Sequence, residues 1–85
     1  LIADDPSPLG GKTVIQCKHY DSGTVAQDVV ARTLGMREYS NANKALIITT
    51  GRFSRDAIKY ADGNSLVDLW DREKVAEQVS RYLES

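Results

Sequence analysis

From Thr13 to Tyr20 the chain reads as a β-branched and apolar stretch with a Gln and a Lys two residues apart in its middle. Period-two alternation predicts a strand that sends Val14, Gln16, Lys18 and Tyr20 to one face, and Thr13, Ile15, Cys17 and His19 to the other. Upstream, Leu1-Ile2-Ala3 has the pattern of a strand's tail. Asp4-Asp5-Pro6-Ser7-Pro8-Leu9-Gly10-Gly11 is dense in turn residues and predicts a hairpin-type loop. After a break at Asp21-Ser22-Gly23, Ser22 or Thr24 can cap a helix through about Gly35, with Val25, Ala26, Val29, Val30 and Leu34 as its buried stripe. Ser40-Asn41-Ala42-Asn43 is a loop. Lys44 to Thr50 carries Ala45-Leu46-Ile47-Ile48, apolar on both faces, the pattern of a central strand covered on both sides. Gly51-Arg52-Phe53 predicts a turn, and Ser54 the cap of a short helix to about Ala61 with Ala57, Ile58 and Ala61 inward. Asp62-Gly63-Asn64 ends that helix. Ser65 to Leu69 predicts a last short strand, and Asp71 the cap of a helix with Val75, Ala76, Val79 and Leu83 inward. The order β-β-α-β-α-β-α predicts an α/β fold, its sheet mostly parallel and flanked by helices.

Eighty-five residues make one small domain, near the lower size limit for a self-sufficient core. An apolar fraction of 41% and a charged fraction of 27% are those of an ordinary globular chain rather than a disordered one. One cysteine excludes an internal disulfide, and a single Cys with a single His argues against an all-protein zinc site. The net charge of −1 gives no overall electrostatic footprint for nucleic acid, so any basic patch has to be local. No apolar run approaches the roughly 20 residues of a membrane span, and no signal-peptide pattern opens the chain. A first residue other than Met, already inside an apolar run, suggests a piece of a longer protein.

Gln16 and Lys18 hold an amide oxygen and an ammonium side by side on a rigid strand, a pairing that could serve a metal ion and a phosphate. Taken alone, the same pair also suits an edge strand with both groups solvated. The motifs around it favour a site. In order, Leu1-Ile2-Ala3 with its loop, Gln16-Cys17-Lys18, Ile48-Thr49-Thr50-Gly51-Arg52-Phe53-Ser54, Ala57 with Tyr60-Ala61, and Leu66-Val67-Asp68 span nearly the whole chain. Together they resemble the catalytic domain of Mrr-like restriction endonucleases, in the PD-(D/E)xK nuclease superfamily.

That resemblance implies a restriction-endonuclease-like three-layer fold with a mixed central sheet. It implies Gln16 as a metal ligand, Lys18 as the catalytic lysine that positions or activates the attacking water, and the backbone carbonyl of Cys17 as a further ligand. The implied cofactor is Mg²⁺ or Mn²⁺, held more weakly by an uncharged Gln than by a Glu. The family's first-strand Asp falls just upstream of Leu1. The chain is therefore expected to be the C-terminal portion of a nuclease domain without its first helix, inactive alone but part of an active parent. Asp4 and Asp5 are expected in the loop, as nearby substitutes only under a different register.

Thr49 and Thr50 end the central strand at the sheet's carboxyl edge, where α/β proteins commonly bind ligands. They could hydrogen-bond DNA phosphates, helped by Arg52, Arg55 and the helix N-terminus after Ser54. They are equally good strand formers, and Ser54 reads as an ordinary cap. His19 reads as a structural histidine, Cys17 as a small buried hydrophobe, and Phe53 as a core plug. Trp70 and Tyr20 read as packing residues, and Asp71 to Lys74 as a solvated helix start. A nucleotide-binding or response-regulator-like domain lacks support, with no glycine-rich phosphate loop and no Asp ending the central strand. The expected function is a cytoplasmic, metal-dependent DNA endonuclease of restriction type. Its expected partners are DNA, the parent's other domains and, by resemblance, a second copy; no membrane is expected. The alternative is an inactive nuclease-like module for DNA binding or protein association.

Overall fold

A computed structural model describes residues 2–4, 11–19 and 23–84. The chain runs β1 (Ile2–Asp4), β2 (Lys12–Lys18), β3 (Thr24–Val25), α1 (Gln27–Tyr39), β4 (Lys44–Thr49), β5 (Arg52–Phe53), α2 (Arg55–Asp62), β6 (Val67–Trp70) and α3 (Arg72–Glu84). The main sheet has the order β1-β2-β4-β6. β1 lies antiparallel to β2, whereas β2, β4 and β6 are mutually parallel, so the sheet is mixed as expected. Parallel neighbours need a crossover, and α1 and α2 supply the two.

The register decides which side chains share a face. Val14, Gln16 and Lys18 pair with Ala45, Ile47 and Thr49, and Ala45 and Ile47 pair in turn with Val67 and Leu69. This row meets α1 and α2 in a core of Val25, Val29, Val30, Ala45, Ile47, Phe53, Ala57 and Val67. The opposite face carries Ile15, Leu46, Ile48 and Trp70, all half-buried, with α3 over its β4–β6 part. β4 is therefore sealed on one face and only partly covered on the other, short of the two-sided burial its sequence predicts. Among the described residues no helix is long and apolar enough to cross a membrane.

Several expectations are corrected. Thr24 does not cap α1. It belongs with Val25 to β3, which pairs in parallel with β5 where a plain turn was expected. β-branched Thr24 and Val25 favour extended backbone, and the pairing gives their neighbourhood partners: Ser54 N–H donates to the Val25 carbonyl at 2.9 Å. The N-cap of α1 is Ala26, without a side-chain cap, and Val25 is buried from the strand rather than the helix. The helix also passes Gly35, which faces open space, and ends at Tyr39, where Asn41 adopts a left-handed φ of 57°.

The other two caps form as expected. Ser54 Oγ accepts from Ala57 N–H at 3.0 Å, and Asp71 Oδ1 accepts from Lys74 N–H at 2.8 Å. The inward stripe of α3 does not hold: Val75 is half-buried, but Ala76, Val79 and Leu83 are exposed. A 13-residue helix is about 20 Å long and the four-residue β6 only about 13 Å, so much of α3 has no strand beneath it. Ile58 is exposed rather than inward, and Cys17 is exposed rather than buried, on the face that α3 covers chiefly over β4 and β6. Asp4 is a strand residue opposite Lys12, not a loop residue. Residues 5–10 of that loop, with Tyr20 and Ser22, lie outside the described residues.

Candidate nuclease site

β2 runs between β1 and β4; Gln16 and Lys18 pair with Ile47 and Thr49 of β4, beyond the described β1 pairing, which reaches Val14. The Gln16 and Lys18 side chains are half-buried on the face turned to α1. They line a hollow of about 80 Å³ with Val29, Arg32, Thr33 and Met36 of that helix. Positions 29, 32, 33 and 36 form one helical stripe, so the contact follows from spacing as well as packing. Val29 and Thr33 are buried, and the Thr33 hydroxyl donates to the Val29 carbonyl at 2.8 Å. Arg32 stands at the rim, its Nη2 donating to Asp28 Oδ2 at 3.1 Å.

The Cys17 thiol points to the other face, which leaves its backbone carbonyl as the group that could join the site. The Lys12 and Lys18 carbonyls accept from Asn43 and Thr50 N–H on the β4 side. Alternation therefore turns the Cys17 carbonyl toward the β1 side, where the described pairing reaches Val14. The Gln16 amide oxygen and this carbonyl are hard, uncharged donors of the kind Mg²⁺ accepts, and fit part of its shell. Among the described residues no group of three or more His, Cys, Asp or Glu could complete it.

At the carboxyl edge, Thr49 is 1% exposed and its Oγ1 accepts from Gly51 N–H at 3.0 Å. Its hydroxyl faces the turn, so surface contact is left to its neighbours. Thr50 is exposed, with Oγ1 3.4 Å from His19 Nδ1, and its N–H donates to the Lys18 carbonyl at 3.3 Å. Arg52 of β5 and Arg55 at the start of α2 are exposed just beyond. Thus Lys18, Thr50, Arg52 and Arg55 all sit at the end of the sheet where β2 and β4 finish. A second, open cleft of about 570 Å³ lies beside them, lined by Arg52, Ile58, Asp71 and Arg72 among others. The sequence offers Arg72 only as part of a solvated helix start and does not mark Arg32, for which the stripe through Val29 and Thr33 is the signal.

A family model described as restriction endonuclease, of the Mrr catalytic type, matches residues 1–79. No match is found among curated proteins. Among solved structures the chain is similar to the DNA modification-dependent restriction endonuclease AspBHI, at 14% identity and a TM-score of 0.72. The match covers 87% of this chain and 20% of that one, so the chain spans about a fifth of that enzyme's length. At this identity the likeness is one of fold.

Proposed function

Since the chain belongs to the restriction endonuclease family of the Mrr catalytic type, we propose that it hydrolyses DNA phosphodiester bonds with a divalent metal ion at Gln16, the Cys17 carbonyl and Lys18. The observation that carries this reading is the placement of Gln16 and Lys18 together on one face of β2, beside β4, opening into one hollow. Cleavage needs a placed water, neutralised phosphoryl oxygens and a stabilised leaving oxygen. Bound Mg²⁺ or Mn²⁺ supplies Lewis-acid polarisation of the phosphoryl group. Gln16 offers an amide oxygen to the ion and no charge. Lys18, fixed beside it, orients the attacking water and sets an ammonium against the phosphate. Thr50, Arg52 and Arg55 receive the DNA backbone, with Thr49 holding the turn they stand on.

Two neutral oxygens call for a carboxylate. The register that sets Ile2 opposite Val14 would, carried two pairs further, set the position before Leu1 opposite Gln16. An acid there in the longer protein completes the ion's ligands on the β1 side. The parent's other domains supply sequence recognition in this reading, and a second copy supplies the cut on the other strand.

The test is plasmid cleavage by the full-length protein and its Lys18→Ala variant with Mg²⁺ or Mn²⁺. The parent is expected to cut, and the variant to lose at least about 100-fold in rate while still binding DNA. Failure of the parent to cut methylated or unmethylated plasmid, with DNA binding intact, would leave a nuclease-like binding module instead.

A further inference from the structure

We propose that Arg32 is a DNA-phosphate contact that seats the substrate strand over Gln16 and Lys18. The proposal rests on the nuclease reading and adds a residue to it. Among the described residues, the side chains around the hollow are Gln16, Lys18, Val29, Arg32, Thr33 and Met36, with two cations and no anion. Such a lining suits an anion on the α1 side, leaving the metal ion to the β1 side of Gln16. Arg32 has a side-chain exposure of 71%, so the guanidinium stands in water at the mouth rather than in the core.

Its aim is set locally. α1 starts just past the carboxyl edge of the sheet, and helical side chains lean toward their own N-terminus. The contact with Asp28, in the first turn, draws Arg32 the same way, toward the edge where Lys18 ends β2. That contact uses one of the five N–H donors of the guanidinium. An exposed i,i+4 pair is weak, so it orients the fork without closing it to a phosphate.

A matched control exists within the molecule. Arg81 of α3 makes the same i,i+4 pair, with Glu77 at 3.2 Å and 69% side-chain exposure, but its helix covers the other face of the sheet. Removing either arginine deletes the same charge and breaks the same kind of ion pair.

The experiment compares the full-length protein with Arg32→Ala, Arg32→Lys and Arg81→Ala. Binding to a duplex oligonucleotide is measured over a series of salt concentrations with Ca²⁺ in place of Mg²⁺, and cleavage kinetics are measured with Mg²⁺. Arg32→Ala is expected to weaken binding roughly fivefold and to lower the salt slope by about one. It should raise KM more than it lowers kcat. Arg32→Lys restores most of the slope, and Arg81→Ala matches the parent. Unchanged binding and slope in Arg32→Ala, while Lys18→Ala abolishes cleavage, overturns the role of Arg32 and leaves the nuclease reading standing. Equal losses in Arg32→Ala and Arg81→Ala overturn it too, because the effect is then one of overall charge. A parent that binds without cutting defeats the nuclease reading, and the salt slope still decides whether Arg32 touches phosphate.

Discussion

Thr33 and Thr49 are both 1% exposed, yet their hydroxyls serve the backbone in opposite senses. Thr33 donates to the Val29 carbonyl one helical turn back, an acceptor that the helix ladder already uses. Thr49 accepts from Gly51 N–H in a turn, where that donor has no ladder to fall back on. Thr33→Val is therefore expected to change stability by less than about 0.5 kcal/mol, whereas Thr49→Val should cost about 1–3 kcal/mol. Urea unfolding of both variants checks this, and equal losses would contradict the assignment. At this scale period-two alternation was enough to place Gln16 and Lys18 together. It could not give the exposure of Cys17, because that depends on how far α3 reaches across the sheet. The burial of Thr49 was equally hidden, since a strand-ending Thr can point its hydroxyl to water or to the next turn.

Asn43 grips the start of β2 from two sides. Its Oδ1 accepts from Lys12 N–H at 3.0 Å, and its own N–H donates to the Lys12 carbonyl at 2.8 Å. This clamp stands immediately before the pairing of Thr13 with Lys44, so it helps set the register that later brings Lys18 beside Thr49. A Cβ on Gly11 would run into the Asn43 side chain. Gly11→Ala should cost about 1–3 kcal/mol by urea unfolding. Asn43→Ala should add little in the Gly11→Ala background, since both damage one contact. A loss below about 0.5 kcal/mol for Gly11→Ala would show that Asn43 swings aside freely. The long elements were legible because their periods are: the apolar run of β4, and the caps Ser54 and Asp71. β3 and β5 were not, because two residues carry no period and each exists only through its partner elsewhere in the chain.

The whole molecule is a sheet between unequal layers, α1 and α2 on one side and α3 on the other. Helices of equal length, α1 and α3, have unequal roles: α1 buries Val29, Val30 and Thr33, while α3 leaves Val79, Tyr82 and Leu83 exposed at 52%, 80% and 76%. Helical spacing alone marks an apolar stripe without saying whether a strand lies beneath it, so the stripe of α3 reads as inward although Val79 and Leu83 are exposed. Leu83→Ser is accordingly expected to shift stability by no more than about 0.5 kcal/mol, against about 2–5 kcal/mol for Ile47→Ala at the sealed centre. A large loss at Leu83, in urea unfolding of the full-length protein, would mean that another part of it covers α3.

The parallel pairing of β2 with β4 also has a consequence in time. Lys12 and Asn43, like His19 and Thr50, meet across 31 residues of chain, with α1 in between. Lys18 therefore leaves the ribosome well before the strand that fixes its neighbour, and closing so long a loop is among the slower steps of folding. Gln16 and Lys18 acquire their rigid spacing only once the crossover is complete, so a half-made chain carries the residues of the site without its geometry.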